Sequence, residues 1–252
     1  MREPDRLAGA PLAAVSFLTT LPLGRRCAPD GDALLRGAPL FPLVGATLGA
    51  AIGAAALALA QVMPPLLAGL LVVALELLLT GALHADGLAD SADGLGGRDR
   101  ARSLAIMRDH SLGAYGASAL ALDLGVKATA LATLAEADAL AAIVAALAIS
   151  RAAPLPLAHF LPYAREGGGA GQVLAGRIGT RSLVAGATLA IAVAVLAVGA
   201  EALPLLLCAV TVSGTIGLLA GRRLHGVTGD VFGAAVELSA TCCLVVAVAL
   251  RG

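Results

Sequence analysis

The sequence predicts an all-α, polytopic helical membrane protein with about seven transmembrane helices, preceded by an N-terminal interfacial or re-entrant segment. Of its 252 residues, 59% are hydrophobic and only 13% are charged, and the mean hydropathy is +0.91. A soluble domain has about 25% charged residues. Several apolar runs also reach the roughly 20 residues that a helix needs to cross a bilayer. The whole chain, residues 1–252, is therefore predicted to form a single integral-membrane domain.

Seven apolar runs are predicted to cross the membrane, and each is rich in alanine, leucine, valine and glycine. They cover residues 41–62, 64–83, 112–134, 139–160, 183–200, 202–220 and 234–250. Small residues allow neighbouring membrane helices to approach closely. Pro154 and Pro156 predict a kink near the end of the fourth run. Residues 7–23, which prolines interrupt and basic residues flank, are predicted to form the interfacial or re-entrant segment.

The arginines predict how the chain is oriented. If the seven runs alternate, the polar loops 84–111, 161–182 and 221–233 and the stretch around Cys27 lie on one side of the membrane and contain most of the arginines. The connections on the other side contain no lysine or arginine, apart from Arg251 near the C-terminus. Because lysine and arginine accumulate on the cytoplasmic side, these loops are predicted to face the cytoplasm from a cytoplasmic (inner) membrane.

Three aspartates lie close together in LHADGLADSADGLGG, residues 83–97. A helix advances about 100° per residue, so Asp86, Asp90 and Asp93 project within about 60° of one another. Like charges on one face repel unless a cation lies among them, and Mg²⁺ is bound by a few carboxylates together with phosphate oxygens. The spacing therefore favours a Mg²⁺ site at the end of a membrane helix. Solvated carboxylates at a helix end are the alternative interpretation.

Further charges lie inside the apolar runs. Asp230 and Glu237 in TGDVFGAAVEL are seven residues apart on one helical face. A cap at a helix N-terminus explains Asp230, but Glu237 lies two turns inside a span, where a charge costs on the order of 3 kcal/mol and faces the protein interior. Lys127 can pair with Asp123 at spacing i, i+4. Arg151 lies in mid-span and requires a carboxylate or a bound anion.

The loops predicted to be cytoplasmic place arginines beside glycines. RDRARSLAIMRDHSLGAYG contains Arg102, Arg108 and Asp109, and FLPYAREGGGAGQVLAGRIG contains Arg165 and Glu166. Arginine in a glycine-rich loop is suited to binding phosphate, although membrane orientation alone also explains basic loops. The formal net charge of zero and the 2% share of aromatic residues argue against nucleic acid as a partner.

Six motifs together resemble the cobalamin synthase family, whose members are adenosylcobinamide-GDP ribazoletransferases. They are SFLTTLP (16–22), FPLVG (41–45), TGALHADGLADSADG (80–94), IMRDHSLGAYG (106–116), YAREGG (163–168) and TGDVFGAAVEL (228–238). The resemblance implies that a hydroxyl of α-ribazole, or of α-ribazole 5′-phosphate, attacks adenosylcobinamide-GDP and releases GMP. The product would be adenosylcobalamin or its 5′-phosphate. The resemblance also implies a requirement for Mg²⁺ and contact with the lipid bilayer.

Carried onto this sequence, the family motifs imply two groups of site residues. The acidic, catalytic group consists of Asp86, Asp90, Asp93, Asp230 and Glu237, of which the first three are expected to bind Mg²⁺. The group around the substrates consists of Arg102, Arg108, Asp109, Lys127, Arg151, Arg165 and Glu166. The sequence leaves open which carboxylate takes the proton, which lower base is used, and whether the protein is an oligomer.

Two other functions share some of these features. A CDP-alcohol phosphotransferase of phospholipid synthesis would contain D-x-x-D-G-x-x-A-R, and DSADGLGGR (90–98) approaches that pattern. The second half of the motif requires a glycine and two aspartates where this chain has Met107, Ser111 and Tyr115. A secondary transporter would also contain buried charges, but it needs access from both faces, and the connections opposite the polar loops are short and nearly uncharged.

Overall fold

The computed structural model describes residues 3–21, 31–109, 111–166, 168 and 170–251, which are helical apart from their connections. The helices are α1 (Glu3–Leu18), α2 (Gly31–Gly37), α3 (Phe41–Ala60), α4 (Pro65–Thr80), α5 (Leu83–Leu95), α6 (Arg100–Ile106), α7 (Ala114–Glu136), α8 (Leu140–Ala152), α9 (Pro154–Phe160), α10 (Thr180–Val198), α11 (Ala202–Leu224) and α12 (Gly229–Ala249). The described part of the chain contains no β-strand, only an isolated parallel bridge between Tyr163 and Val227. The all-α prediction is confirmed.

Five helical stretches within the described residues are long and apolar enough to cross a membrane, or six if the bent pair of α4 and α5 forms one span. One of the five, Thr180–Leu224, has 45 residues, more than twice what a bilayer requires. A 3₁₀ turn at Gly199–Glu201 divides it into α10 and α11, and Leu183 and Ser213 from these two helices line the same cavity. The membrane architecture is confirmed, but the expected count of seven spans is not.

The N-terminal helix is not among the described helices that are long and apolar enough to cross a membrane. Only Gly9–Leu18 of α1 is apolar, which is too short for a span. The helix instead packs on α2 and α3, where the rings of Phe17 and Phe41 stack with their centroids 5.6 Å apart. This arrangement agrees with the predicted interfacial or re-entrant segment. Its continuation through Arg25, Arg26 and Cys27 lies outside the described residues.

Glycines allow the central helices to touch through their backbones. A Cβ added to Gly45 of α3 would lie 2.2 Å from the carbonyl oxygen of Leu147 in α8. A Cβ added to Gly69 of α4 would lie 2.1 Å from the carbonyl oxygen of Ala128 in α7. Because no side chain fits at such distances, glycine is required at both positions. This contact explains the final glycine of the FPLVG motif.

The chain turns sharply between α4 and α5, whose axes differ by 93°. The sequence predicted that the helix with the aspartates directly continues the span 64–83. Instead, Gly81 and Ala82 adopt left-handed backbone angles, with φ of 63° and 55°. These two residues end the helix of the span before the aspartates begin. Near the turn, Thr20 donates from its hydroxyl to the carbonyl of Leu78 at 2.9 Å and from its N–H to Leu79 at 2.8 Å. The SFLTTLP motif therefore caps the C-terminal end of α4.

The predicted cytoplasmic loops meet at one end of the helical bundle. Arg100 donates from Nε to the carbonyl of Leu224 at 2.7 Å and from Nη2 to the carbonyl of Ala164 at 2.6 Å. Arg177 Nη2 lies 3.3 Å from Asp32 Oδ1, which joins the loop before α10 to the first turn of α2. Chain segments that are far apart in the sequence therefore surround α5 and the beginning of α12.

Candidate active site

Close contact between α5 and α12 positions the first group of candidate residues. A Cβ added to Gly87 would lie 2.7 Å from the carbonyl oxygen of Asp230 and 2.9 Å from the Cα of Gly233. The two helices can approach this closely only because both positions are glycine. The contact brings the aspartates of α5 beside the first turn of α12.

Asp86, Asp90, Asp230 and Arg165 form a polar group that we call the acidic cleft. Asp86 is exposed and Asp90 is half-buried, and Asp90 lies within electrostatic range of the other three residues. Arg165 Nη2 forms an ion pair with Asp230 Oδ2 and also donates to the carbonyl of Met107 at 3.0 Å. The structure therefore brings together three of the predicted catalytic carboxylates and one predicted substrate-binding arginine.

Asp93 has a structural role that the sequence did not reveal. Its Oδ2 accepts a hydrogen bond from the N–H of Gly113 at 2.7 Å, and its Oδ1 accepts one from Gly116 at 2.9 Å. These N–H groups belong to the beginning of α7, where a negative charge is stabilised by unpaired donors and by the helix dipole. Asp93 thus anchors α7 to α5.

Of the remaining predicted loop residues, some lie beside the acidic cleft and one lies away from it. Arg108 donates to the carbonyl of Glu166, which connects the two loops beside the acidic cleft. Asp109 Oδ1 accepts from the N–H of Ser111 at 3.0 Å and shapes the same loop. Arg102 lies elsewhere, since its N–H is bonded to Asp99 and its side chain lines a polar hollow with Arg98.

The other predicted residues are found deeper, in a group that we call the buried charge cluster, consisting of Glu76, Asp123, Lys127, Arg151 and Glu237. Their side chains are at most 5% exposed. Lys127 Nζ forms its closest ion pair with Glu237 Oε1 and lies 3.4 Å from Glu76 Oε2 and 3.9 Å from Asp123 Oδ2. The expected i, i+4 pair of Asp123 and Lys127 is therefore the longest of the three contacts.

Arg151 forms an ion pair with a carboxylate, as predicted from its position in mid-span. Its Nη2 lies 3.0 Å from Glu76 Oε1, and its Nη1 donates to Ser150 Oγ at 3.0 Å. The buried His84, in the first turn of α5, lies within electrostatic range of Arg151 and Glu76. Glu237 also faces the protein interior, as predicted. The sequence grouped these residues with the acidic cleft, but the structure gives them partners of their own below it.

Three residues that organise the site lie outside the predicted set of site residues. Arg100 ties α6 to two loops, Glu76 pairs with Arg151, and Thr228 donates from its hydroxyl to Asp230 Oδ2 at 3.1 Å. Glu76 could have been found, because a lone acid in one span and a lone base in another predict a pair. The partners of Arg100 are backbone carbonyls, which leave no pattern in the sequence.

The residues of the acidic cleft suit a Mg²⁺ ion only in part. Among the described residues, no three His, Cys, Asp or Glu side chains come close enough to form a complete metal site. Mg²⁺ often uses one or two carboxylates and takes its other ligands from water and substrate phosphates. Asp86 and Asp90 fit that arrangement. Asp93 fits it less well, because both of its oxygens already accept hydrogen bonds, and its role as a metal ligand stays a prediction.

Comparison with known proteins identifies close relatives. A family model described as "Cobalamin-5-phosphate synthase" matches residues 10–248. The chain is 37% identical over 214 residues to the adenosylcobinamide-GDP ribazoletransferase of Prosthecochloris aestuarii, covering 83% of this chain and 86% of the relative. It is 41% identical over 239 residues to the enzyme of that name from Leptothrix cholodnii, covering 89% of each chain.

The Escherichia coli K12 protein of the same name is 39% identical over 232 residues, which cover 90% of this chain and 94% of the relative. No solved structure matches this chain. The family match, residues 10–248, includes every residue of the acidic cleft and of the buried charge cluster.

Proposed function

This chain belongs to the cobalamin-5-phosphate synthase family, and from that membership we propose that it is an adenosylcobinamide-GDP ribazoletransferase. It transfers α-ribazole, or α-ribazole 5′-phosphate, onto adenosylcobinamide-GDP and thereby completes the nucleotide loop of adenosylcobalamin or its 5′-phosphate. The relatives described above are named adenosylcobinamide-GDP ribazoletransferase, after this transfer. The observation that best supports the proposal is the acidic cleft, where carboxylates and an arginine meet at the end of the bundle that holds the polar loops.

The proposed reaction is an attack by a ribazole hydroxyl on the cobinamide-side phosphate, with GMP as the leaving group. Such a displacement requires a positioned hydroxyl, an acceptor for its proton, and positive charge beside the phosphates. We assign the proton to Asp230, since Asp90 is proposed as a metal ligand. Arg165 supplies positive charge, and its buried Nε donates to none of the described residues, so that this N–H is available to a phosphate oxygen.

We propose Mg²⁺ as the cofactor, held by Asp86 and Asp90 together with substrate phosphates. When bound, the ion supplies charge that neutralises the diphosphate. The carboxylates of this chain contribute by fixing the position of that charge at the junction of α5 and α12. Arg108 and Glu166 support the loop beside it through their mutual hydrogen bond.

We also propose that the acidic cleft faces the cytoplasm. The apolar helices support a multi-pass membrane protein, and the arginine-rich loops surround the cleft rather than the opposite end of the bundle. Nucleotide substrates are made in the cytoplasm, which agrees with this orientation.

The decisive experiment is an assay of the purified protein in detergent or nanodiscs with adenosylcobinamide-GDP, α-ribazole and Mg²⁺. Equal amounts of GMP and adenosylcobalamin are expected, and omission of α-ribazole should abolish both. Parallel reactions with α-ribazole 5′-phosphate identify the preferred acceptor. Absence of GMP release with either acceptor would refute the proposed activity, and turnover of CDP-diacylglycerol with an alcohol would replace it with phospholipid synthesis.

A further inference from the structure

An apolar groove runs along the outer side of α7, between this helix and its neighbours α11 and α12. Its first part has a volume of about 460 Å³ and is lined by α5, α7, α11 and α12, with Met107 after α6. Its second part, of about 430 Å³, is lined by α7 and α12. Leu122 and Val126 line both parts, so that the two are continuous. We call the whole the lateral groove.

The lateral groove is open towards the membrane and is long enough for a lipid chain. Leu122 of α7, Leu219 of α11 and Val245 of α12 line it and are exposed. Its wall on α7 extends from Ala119 to Thr133, which is about 21 Å of helix at a rise of 1.5 Å per residue. The hydrocarbon core of a bilayer is about 30 Å thick, so that one leaflet takes up about 15 Å. One acyl chain of a leaflet therefore fits along the groove.

Polar side chains in the wall of the lateral groove have partners within the protein. Thr129 and Thr133 donate from their hydroxyls to the backbone carbonyls one turn earlier, at 2.9 and 3.0 Å. Asp123 and Thr241 interact with each other, and Asp123 also belongs to the buried charge cluster. The buried hydroxyl of Ser91, in the first part of the groove, is an exception without a described partner. Walls of this kind suit a hydrocarbon chain, which offers no hydrogen bonds.

The end of the lateral groove beside the polar loops is positively charged. Arg223, in the last turn of α11, lines the first part of the groove and is exposed, and the neighbouring Arg222 is exposed as well. Neither forms an ion pair with a described residue, whereas Arg165 and Arg177 at the same end of the bundle do. Arginine is suited to binding phosphate, and basic pockets between membrane helices bind anionic lipid head groups. The groove thus combines an apolar channel with a site for a phosphate.

We propose that the lateral groove binds one anionic phospholipid, with an acyl chain along α7 and the phosphate beside Arg222 and Arg223. The inference goes beyond the proposed function and does not depend on it, because the groove is lined by neither Asp86 nor Asp90. The bound lipid fills the space between α7, α11 and α12 and so joins helices that surround α5.

A polar substrate or a second copy of the chain fits the lateral groove less well. A polar substrate would bury its hydrogen-bonding groups against walls that offer few free partners. In a symmetric dimer through this groove, the two-fold axis would lie along the membrane normal and would bring Arg222 and Arg223 of both copies to the same end. Like charges placed together across an interface oppose association. An anionic phospholipid instead supplies the opposite charge.

The first test narrows the lateral groove. Gly125 of α7 lines it, and a Cβ added there meets no atom within 4 Å, so that Gly125→Phe places a ring in the groove without a clash inside the protein. Gly214→Phe is the matched control, since Gly214 of α11 is also an exposed glycine with open space around it but lines neither part of the groove. Glycine is a poor helix former, so neither change should weaken its helix.

The parent and both variants are reconstituted with equal parts of phosphatidylglycerol and phosphatidylcholine, extracted into detergent, and measured by native mass spectrometry. The parent and Gly214→Phe should retain one phosphatidylglycerol, at least tenfold in preference to phosphatidylcholine. Gly125→Phe should retain at least tenfold less of it. Equal retention by Gly125→Phe and the parent, or a parent that retains neither lipid, would overturn the proposal. A dimer that only Gly125→Phe dissociates would also overturn it, since the groove would then hold a second copy.

The second test removes the positive charge at the end of the groove. In the double variant Arg222→Gln with Arg223→Gln, the preference for phosphatidylglycerol should fall below threefold, because phosphatidylcholine differs from it in a choline that cancels the phosphate charge. The matched control is Arg98→Gln with Arg102→Gln, two exposed arginines that line a separate polar hollow, and it should keep the parental preference.

A tenfold preference that persists without Arg222 and Arg223 would refute the assignment of the phosphate, and so would an equal loss in the control. Both tests measure the retention of a lipid rather than turnover. Their outcome therefore stands whether or not the protein transfers ribazole, and failure of the proposed function would leave it unchanged.

Discussion

The carboxylate of Asp93 occupies the space that a side chain at position 116 would need. The N–H of Gly116 donates to Asp93 Oδ1 at 2.9 Å, and a Cβ added to Gly116 would lie 2.3 Å from Oδ2. Gly113 repeats the arrangement, with its N–H 2.7 Å from Oδ2 and an added Cβ 2.4 Å from Oδ1. Two glycines of the IMRDHSLGAYG motif are therefore explained by an aspartate 20 or more residues earlier.

We predict that Asp93→Asn lowers the stability of the folded protein. Asparagine has one oxygen in place of two and no charge, so that one N–H at the start of α7 loses its acceptor, at a cost of about 1–3 kcal/mol. Thermal unfolding in detergent should show a lower Tm than the parent. Asp86→Asn, which changes an exposed carboxylate on the same helix, is the control and should unfold near the parental temperature. Equal Tm values for the two variants would show that Asp93 does not anchor α7.

The acidic cleft should be sensitive to the loss of a single charge. Asp86→Asn and Asp90→Asn preserve the shape of the side chain but remove a negative charge, and each should lower kcat by about a hundredfold, the scale of losing one electrostatic contributor. Asp138→Asn is a suitable control because Asp138 is exposed at the other end of the bundle, at a φ of 53° that asparagine tolerates. Turnover of both cleft variants within a few-fold of the parent would show that these carboxylates are only solvated helix residues.

Removal of divalent metal should stop the reaction. Treatment with EDTA is expected to abolish GMP release, and added Mg²⁺ should restore it, because the diphosphate would otherwise lack a neutralising charge. In Asp86→Asn the Mg²⁺ concentration for half-maximal rate should rise, whereas in Asp138→Asn it should match the parent. A parental rate that persists in EDTA would exclude a metal bound by Asp86 and Asp90 from the reaction.

The buried charge cluster should determine stability rather than substrate affinity. Breaking a buried ion pair by removing one partner costs about 3–5 kcal/mol, whereas replacing both partners can be nearly neutral. Glu76→Gln and Arg151→Met should each lower the Tm strongly. In the double variant, the decrease in Tm should be smaller than the sum of the two single decreases. The folded double variant should retain both KM values within about threefold. A KM for either substrate at least tenfold higher would show that Arg151 binds substrate, as the family motifs implied.

Cysteine labelling tests the orientation of the membrane domain. Arginine asymmetry predicts that Cys27, which lies outside the described residues, faces the cytoplasm. A membrane-impermeant maleimide should label it in inverted vesicles but not in intact cells. A Gln61→Cys variant that also contains Cys27→Ser should give the reverse pattern, since Gln61 is exposed at the opposite end of the bundle. Labelling of Cys27 from outside would place the acidic cleft on the other face.

The sequence predicted those features that depend on local pattern. Apolar length gave the all-α membrane architecture, and the spacing of Asp86, Asp90 and Asp93 gave a single helix that carries all three. It could not predict the 93° turn before that helix, because the turn depends on left-handed angles at Gly81 and Ala82 and on contacts with Thr20. Nor could it separate Glu237 from Asp230, since residues on one helical face can still have partners at different depths.

The hydrogen bonds of Thr20 give the beginning of the chain a part in positioning α5. Thr20 holds the carbonyls of Leu78 and Leu79 just before the turn, and a Cβ added to Gly81 would lie 2.7 Å from Thr20 Cγ2. The N-terminal segment thus lies in the bend between α4 and α5 and helps to fix the angle at which the helix with the aspartates leaves the membrane helix.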